Sequence, residues 1–304
     1  MKKLILTIAI LSVFCANAQD IDRSSLLRDI KTLSSDLFAG RKTGTEGNKA
    51  AAEYISARFT EAGLKSFQDH YRHPFSFKNR KSELINGTNL IGFVKGKTDN
   101  VIVISAHYDH VGVTNSMIYN GADDNASGVS VLFGIAEYFN VHKPRNTLLF
   151  IAFDAEEMGL QGAYSFLKEP VISIKSIIMN VNVDMVSHND KSELYAVGTY
   201  KTPILKEIIE DADDNTGINI LFGHDIPDSG KDDWTMQSDQ GPFAKENIPF
   251  IYFGVEDHDD YHKPSDKFAN INQNFFHSAS IAILRSIIKI DKDLLRLRQI
   301  PQIP

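Results

Sequence analysis

The chain has 304 residues, 42% hydrophobic and 23% charged, enough for one sizeable core and too few for two full domains. A formal charge of −7 with no basic block excludes a binder of nucleic acid as the main function. Ten prolines, nineteen glycines and no internal repeat exclude collagen-like and low-complexity chains.

Residues 1–18 read as a signal peptide. Lys2 and Lys3 precede an apolar run, and Ala16-Asn17-Ala18 has the small-x-small form of a cleavage site. The apolar run is about twelve residues, short of the about twenty that span a bilayer. The expectation is cleavage before Gln19, export to the periplasm or the medium, and no membrane attachment once the leader is gone. Cys15 is the one cysteine and leaves with the leader. The mature chain then has no disulfide, no Cys nucleophile and no thiolate metal site.

Residues 21–35 have helical periodicity, with Leu26, Leu27, Ile30, Leu33 and Leu37 as the apolar stripe. After a turn-rich stretch at 40–47, residues 48–62 predict a second helix closed by Gly63. Residues 70–78 read as extended. Short apolar runs of strand length follow at 89–94, 101–106, 147–153, 177–183 and 250–253. Several are almost continuously hydrophobic, as strands covered on both faces must be. Helical patterns at 128–139, 160–168, 203–213 and 272–289 alternate with them. The expected fold class is α/β: a single domain over residues 19–304, with a mixed, mostly parallel central sheet sandwiched by helices.

Each central strand runs into acids or imidazoles: His107-Tyr108-Asp109, Asp154-Ala155-Glu156-Glu157, Asp184, and a tract from Glu256 to His262. Sites in open α/β sheets form at the carboxyl ends of strands, so these groups converge on one crevice. Asp123 and Asp124 are adjacent acids in a tight turn and repel each other unless a positive charge intervenes. Asp124 or Ser127 is placed to cap the next helix, whereas Asp123 is too far upstream. No lysine or arginine stands nearby in sequence, so a divalent cation is the simplest counter-charge. His107, Asp123, Glu157, Asp184 and His262 supply five ligand side chains, enough for two ions sharing one carboxylate. Imidazoles in the set favour zinc over calcium or magnesium. Two ions clamp and acidify a water, and Glu156 is positioned to take its proton.

The sequence resembles the co-catalytic dizinc aminopeptidases of family M28. The resemblance rests on Ala106-His107-Tyr108-Asp109, the stretch from Gly121 to Gly128, Asp154-Ala155-Glu156-Glu157-Met158-Gly159, Asn182-Val183-Asp184-Met185, Ser238-Asp239-Gln240-Gly241-Pro242-Phe243 and Tyr261-His262-Lys263-Pro264-Ser265-Asp266. It implies a zinc-exopeptidase fold and two Zn2+ ions per chain, replaceable by cobalt or manganese. His107 and Asp184 would hold one ion, Glu157 and His262 the other, with Asp123 as the bridge. It further implies Glu156 as general base, Asp109 as the carboxylate behind His107, and Tyr261 as a donor to the developing oxyanion. Asp239 resembles a supporting group. Ser265 stands near a position where many secreted relatives have a disulfide cysteine, and Gln240 replaces the more usual His or Tyr. The implied activity is release of N-terminal residues from peptides. The alternatives are a related dizinc dipeptidase or carboxypeptidase-like amide hydrolase, a glutaminyl cyclase, and a non-catalytic binding protein. His258 competes with His262 as ligand, while His70, His73, His142, His188, His224 and His277 read as surface or packing residues. Trp234 and Met236 are candidates for an apolar pocket wall. The sequence is silent on oligomeric state and compatible with a monomer.

Overall fold

A computed structural model describes residues 21–67, 69–212 and 215–293. The leader expected at 1–18 lies outside these residues.

Helix α1 (Arg23–Leu33) begins at Asp22, whose carboxylate accepts from the Ser25 amide at 2.7 Å and satisfies one of the free N–H groups of the first turn. It buries Leu26, Ile30 and Leu33. Leu37 does not continue that stripe. The helix ends at Leu33, the chain turns through positive φ at Ala39, Gly40 and Arg41, and Leu37 is left 75% exposed. Helix α2 (Glu46–Glu61) is capped by the Thr45 hydroxyl and ends just before Gly63, at φ +74°. A β-carbon at Gly63 would collide with Asn140, so close packing as well as chain reversal requires glycine there.

Strands β1 (Lys65–Ser66), β2 (Arg72–Lys78) and β3 (Leu84–Val94) lead to the buried β4 (Val101–His107). A small hairpin, β5 (Gly112–Thr114) and β6 (Met117–Tyr119), precedes α3 (Gly128–Val141). Then come β7 (Thr147–Phe153), α4 (Gln161–Lys168), β8 (Ile177–Val183), β9 (Glu193–Val197), α5 (Ile204–Glu210), β10 (Asn219–Phe222), α6 (Gln240–Lys245), β11 (Phe250–Gly254) and α7 (Gln273–Asp293).

The main sheet runs β1-β3-β7-β4-β8-β11-β9-β10, with β2 also paired to β3. Its middle strands β7, β4, β8 and β11 are mutually parallel. Antiparallel pairing begins on either side, at β3 and at β9. This is the expected mixed α/β sheet, with β1, β9 and β10 added beyond the predicted strands.

Every residue of β4 and β7 is buried, and successive side chains serve opposite layers. Ile102, Ile104, Leu148 and Phe150 join a large core with Ile30, Phe59, Phe133 and Ile283. Val101, Val103, Leu149 and Ile151 join a smaller one with Phe166 of α4 and Phe243 of α6. Each such side chain contributes about 1.5–3 kcal/mol through its removal from water. That burial fixes the register of the middle strands, and with it where their last residues emerge. Because the four strands run the same way, His107, Asp154, Asp184 and the segment after β11 leave the sheet at one edge.

Candidate metal centre

At that edge two groups of side chains face each other across Asp124. One is His107, Asp184 and Glu156; the other is His110, Glu157 and His262. His107 Nε2 lies 3.2 Å from Asp184 Oδ1 and 3.3 Å from Asp124 Oδ1. On the other side His262 Nε2 lies 3.0 Å from Asp124 Oδ2 and 3.2 Å from Glu157 Oε1. The two oxygens of Asp124 therefore serve different neighbours. Ligands about 2.0–2.1 Å from one zinc in a tetrahedron lie roughly 3.3 Å apart, so these spacings fit shared ions.

The place between the two groups, expected for Asp123, is taken by Asp124. Asp123 is wholly buried but faces away: its Oδ1 accepts from the Ser187 amide at 2.6 Å and the Ser187 hydroxyl at 2.8 Å. Its Oδ2 lies 3.0 Å from His258 Nε2. Neighbouring residues of an irregular loop point in different directions, and here the second of the two acids is the one turned inward. Helix capping falls to neither acid, since Asn125 Oδ1 accepts from the Gly128 amide at 2.8 Å. His258 is thereby separated from His262: it belongs to Asp123, and its ring stacks on His188 at 3.8 Å.

His107 donates through Nδ1 to the backbone carbonyl of Asp109 at 3.1 Å, which leaves Nε2 free to face the centre. The Asp109 carboxylate is farther from that nitrogen, at 3.7 Å. It accepts instead from the amides of Glu156 at 3.0 Å and Glu157 at 3.3 Å. Asp109 thus ties the end of β4 to the turn after β7 and aims both glutamates. Tyr261 stacks on His262, ring centroids 4.1 Å apart.

Arg41 escaped the sequence reading because it is some eighty positions from the acid pair it supports. It is buried, and it donates to the carbonyls of Tyr108, Leu33, Asn120 and Gly121 at 2.6–2.8 Å. Asp266 holds the same loop from the other side, accepting from the amides of Asp123 at 2.8 Å and Asp124 at 3.1 Å. His110 also went unremarked in the sequence; a second imidazole three residues after His107 was the available signal.

Electrostatically the centre hoards protons. Burial pushes Glu156 well above the usual carboxylate range, helped by Asp239, Asp184 and Glu157 and opposed by His107. Burial likewise raises Asp239 and Asp184. Burial works against a charge on His107, yet Asp184 and Glu156 hold its pKa well above the ordinary value. Burial also opposes ionisation of Asp124, but His110, His107 and His262 hold it well below. Glu157 Oε1 and both Asp239 oxygens are buried without a hydrogen-bond partner, as are both ring nitrogens of His110. Orphaned acceptors among crowded carboxylates are what a bound cation would resolve. A donor set of imidazoles and carboxylates fits zinc.

Residues 89–287, more than half of the chain, match the profile described as Peptidase family M28. The alkaline phosphatase isozyme conversion protein of Escherichia coli is 30% identical over 181 residues, 55% of this chain and 52% of that protein. The chain spans about half or less of the curated relatives it matches. A zinc aminopeptidase from Bacillus subtilis superposes with a TM-score of 0.72 at 17% identity, over 88% of this chain and 95% of that one. A glutaminyl cyclase from Bacteroides thetaiotaomicron gives 0.72 at 19%, over 90% and 99%. At these identities the two structures speak for the fold alone.

Proposed function

The chain belongs to peptidase family M28, and from that premise we propose that it is a two-zinc aminopeptidase, releasing the N-terminal residue of peptides. The observation that carries this is Asp124, with one oxygen toward His107 and the other toward His262. His107 and Asp184 would hold one zinc, Glu157 and His262 the other, and Asp124 both. When bound, the pair would supply Lewis acidity and lower the pKa of a water in the site.

The chain's own groups do the rest. Glu156 takes the proton from that water and delivers it to the departing amine. Burial raises its proton affinity, which suits it to take up and hold a proton. Asp109 fixes where that carboxylate starts, through the Glu156 amide. Burial, with Asp124 and Asp184 adding, pushes the Tyr261 phenol well up, so its O–H persists as a donor to the oxyanion. The leader at 1–18 and an exported location belong to the same proposal. Among the described residues no helix is long and apolar enough to cross a membrane.

The test is a mass-spectrometric digest of matched peptides with free N-termini, acetylated N-termini or amidated C-termini, using zinc-loaded and chelated protein. Stepwise loss from free N-termini only, abolished by chelation, is expected. Cleavage indifferent to acetylation would mark another amide hydrolase. Loss of ammonia from N-terminal Gln without shortening would mark a cyclase, the chemistry named for one of the matched folds.

A further inference from the structure

We propose that His110 is a third imidazole of the centre, a ligand of the ion held by Glu157 and His262. This rests on the two-zinc reading. The His110 side chain is 0% exposed, and neither ring nitrogen has a hydrogen-bond partner. Leaving such a group unmet costs about 1–3 kcal/mol, so an occupant is called for. Nδ1 lies 2.8 Å from Glu157 Oε1 and 3.6 Å from Asp124 Oδ2. Glu157 Oε1 is itself buried without a partner, so the short contact lacks hydrogen-bond geometry. Two unmet ligand atoms side by side, aimed past one another, are placed for a cation between them.

The remaining corner is His262. Its ring stands edge-on to that of His110, centroids 5.7 Å apart at 67°. One ligand atom from each of His110, Asp124, Glu157 and His262 falls within 4.8 Å of all the others. The His110 ring has little room to withdraw. A β-carbon on Gly121, at φ +57°, would lie 2.6 Å and 2.7 Å from two of its carbons. Glycine at 121 seats the ring, and Arg41 pins Gly121 through its carbonyl.

The two halves of the centre then differ in kind. The His110 half offers four protein ligands, a closed set. The His107 half offers His107, Asp184 and the shared Asp124, which leaves a position open to water. The closed half fills first and yields its ion last to a chelator.

The experiment is NMR of 15N-histidine-labelled protein loaded with cadmium-113, a stand-in for zinc, alongside cadmium titration of the wild type and His110→Phe. Expected are cadmium–nitrogen couplings to three histidines, with the His110 signal present at the first equivalent and absent in His110→Phe. The tighter binding step should weaken by about 100-fold, the upper end of what losing even an outlying partner of a ligand does. Couplings confined to His107 and His262, with two cadmium ions bound, would overturn the ligand role while leaving the two-ion reading intact. Uptake of fewer than two ions would sink that reading instead, and coupling to His110 would still decide its role. Should His110→Phe fail to fold, the wild-type couplings decide it alone.

Discussion

Two buried groups of ionisable side chains in this molecule obey opposite rules. Around Asp29, the buried carboxylate is matched by the buried Arg58 guanidinium. Arg58 donates to both its oxygens at 2.9–3.1 Å, Tyr54 donates at 2.6 Å and Arg28 at 3.1 Å. Arg58 also reaches Glu137 at 2.7 Å and Glu61 at 2.6 Å, and lies over the Phe133 ring. At the sheet edge, by contrast, Asp124, Glu156, Glu157, Asp184 and Asp239 gather with imidazoles as their facing cations. Arg41, the buried guanidinium beside them, gives its hydrogen bonds to backbone carbonyls. A balanced buried cluster needs nothing more and acts as a clasp between α1, α2 and α3. An unbalanced one holds its shape by binding protons or a cation, and that imbalance separates a site from a clasp.

The comparison breaks most completely if the shared acid is removed. Asp124→Ala should bind neither ion and show no turnover, by metal analysis and peptide assay. Asp123→Asn should keep both ions and lose about 1–2 kcal/mol of stability with its Ser187 and His258 bonds. Equal metal loss in the two variants would reinstate Asp123 as a bridge. Next in size, Glu156→Gln should lower kcat by roughly 10³-fold, within the range expected for a positioned base, while two ions remain. Loss of metal from that variant would make Glu156 a ligand rather than the base.

Arg58→Ala would turn the clasp into an unbalanced cluster. It should cost about 1.5–3 kcal/mol in urea denaturation, because Asp29 loses its charge-assisted bonds from Arg58 and keeps only Tyr54 and the half-exposed Arg28, with zinc content unchanged. A smaller effect is expected from pH. Burial, with the Asp109 charge adding, pushes Asp154 up to about 7, and burial with Asp123 pushes Asp266 to about 6. Both values exceed the about 4 of an unfolded chain. The fold therefore binds these protons more tightly, and the stability they give is lost as pH rises between about 4 and 7. The melting temperature of the chelated protein should fall over pH 4.5–7.5, while the gain on adding zinc grows, since the ion displaces protons. A chelated melting temperature that is flat or rising over that range would contradict the proton-hoarding picture.

The middle of the sheet was legible because β4 and β7 are almost continuous apolar runs and β8 is apolar but for Asn180 and Asn182, as strands buried on both faces must nearly be. The same runs announced His107, Asp154 and Asp184 as the residues after a strand. Beyond the strands the alternation that orients side chains ends. Which of two adjacent acids turns inward is therefore not legible in the sequence. His110 was lost for a related reason: it follows β4, and its seat is made by Gly121, eleven residues on. Strands β9 and β10 are only five and four residues long, too short to stand out in the sequence, and are held by pairing to β11 and to each other. Leu37 fits a helical stripe in sequence, but α1 ends at Leu33 and the extended backbone of Ser35 breaks the helical path before Leu37.

Arg41 has a consequence for protein engineering. The segment matching the M28 profile begins at residue 89, yet the loop carrying Asp124 is held from residue 41. The portable unit is thus longer than the recognisable one. A graft of residues 89–287 into another protein would carry His107, Asp124, Glu157, Asp184 and His262 intact and still leave the carbonyls of Tyr108, Asn120 and Gly121 without their donor. The transplanted side chains would arrive without the buttress that holds them in register.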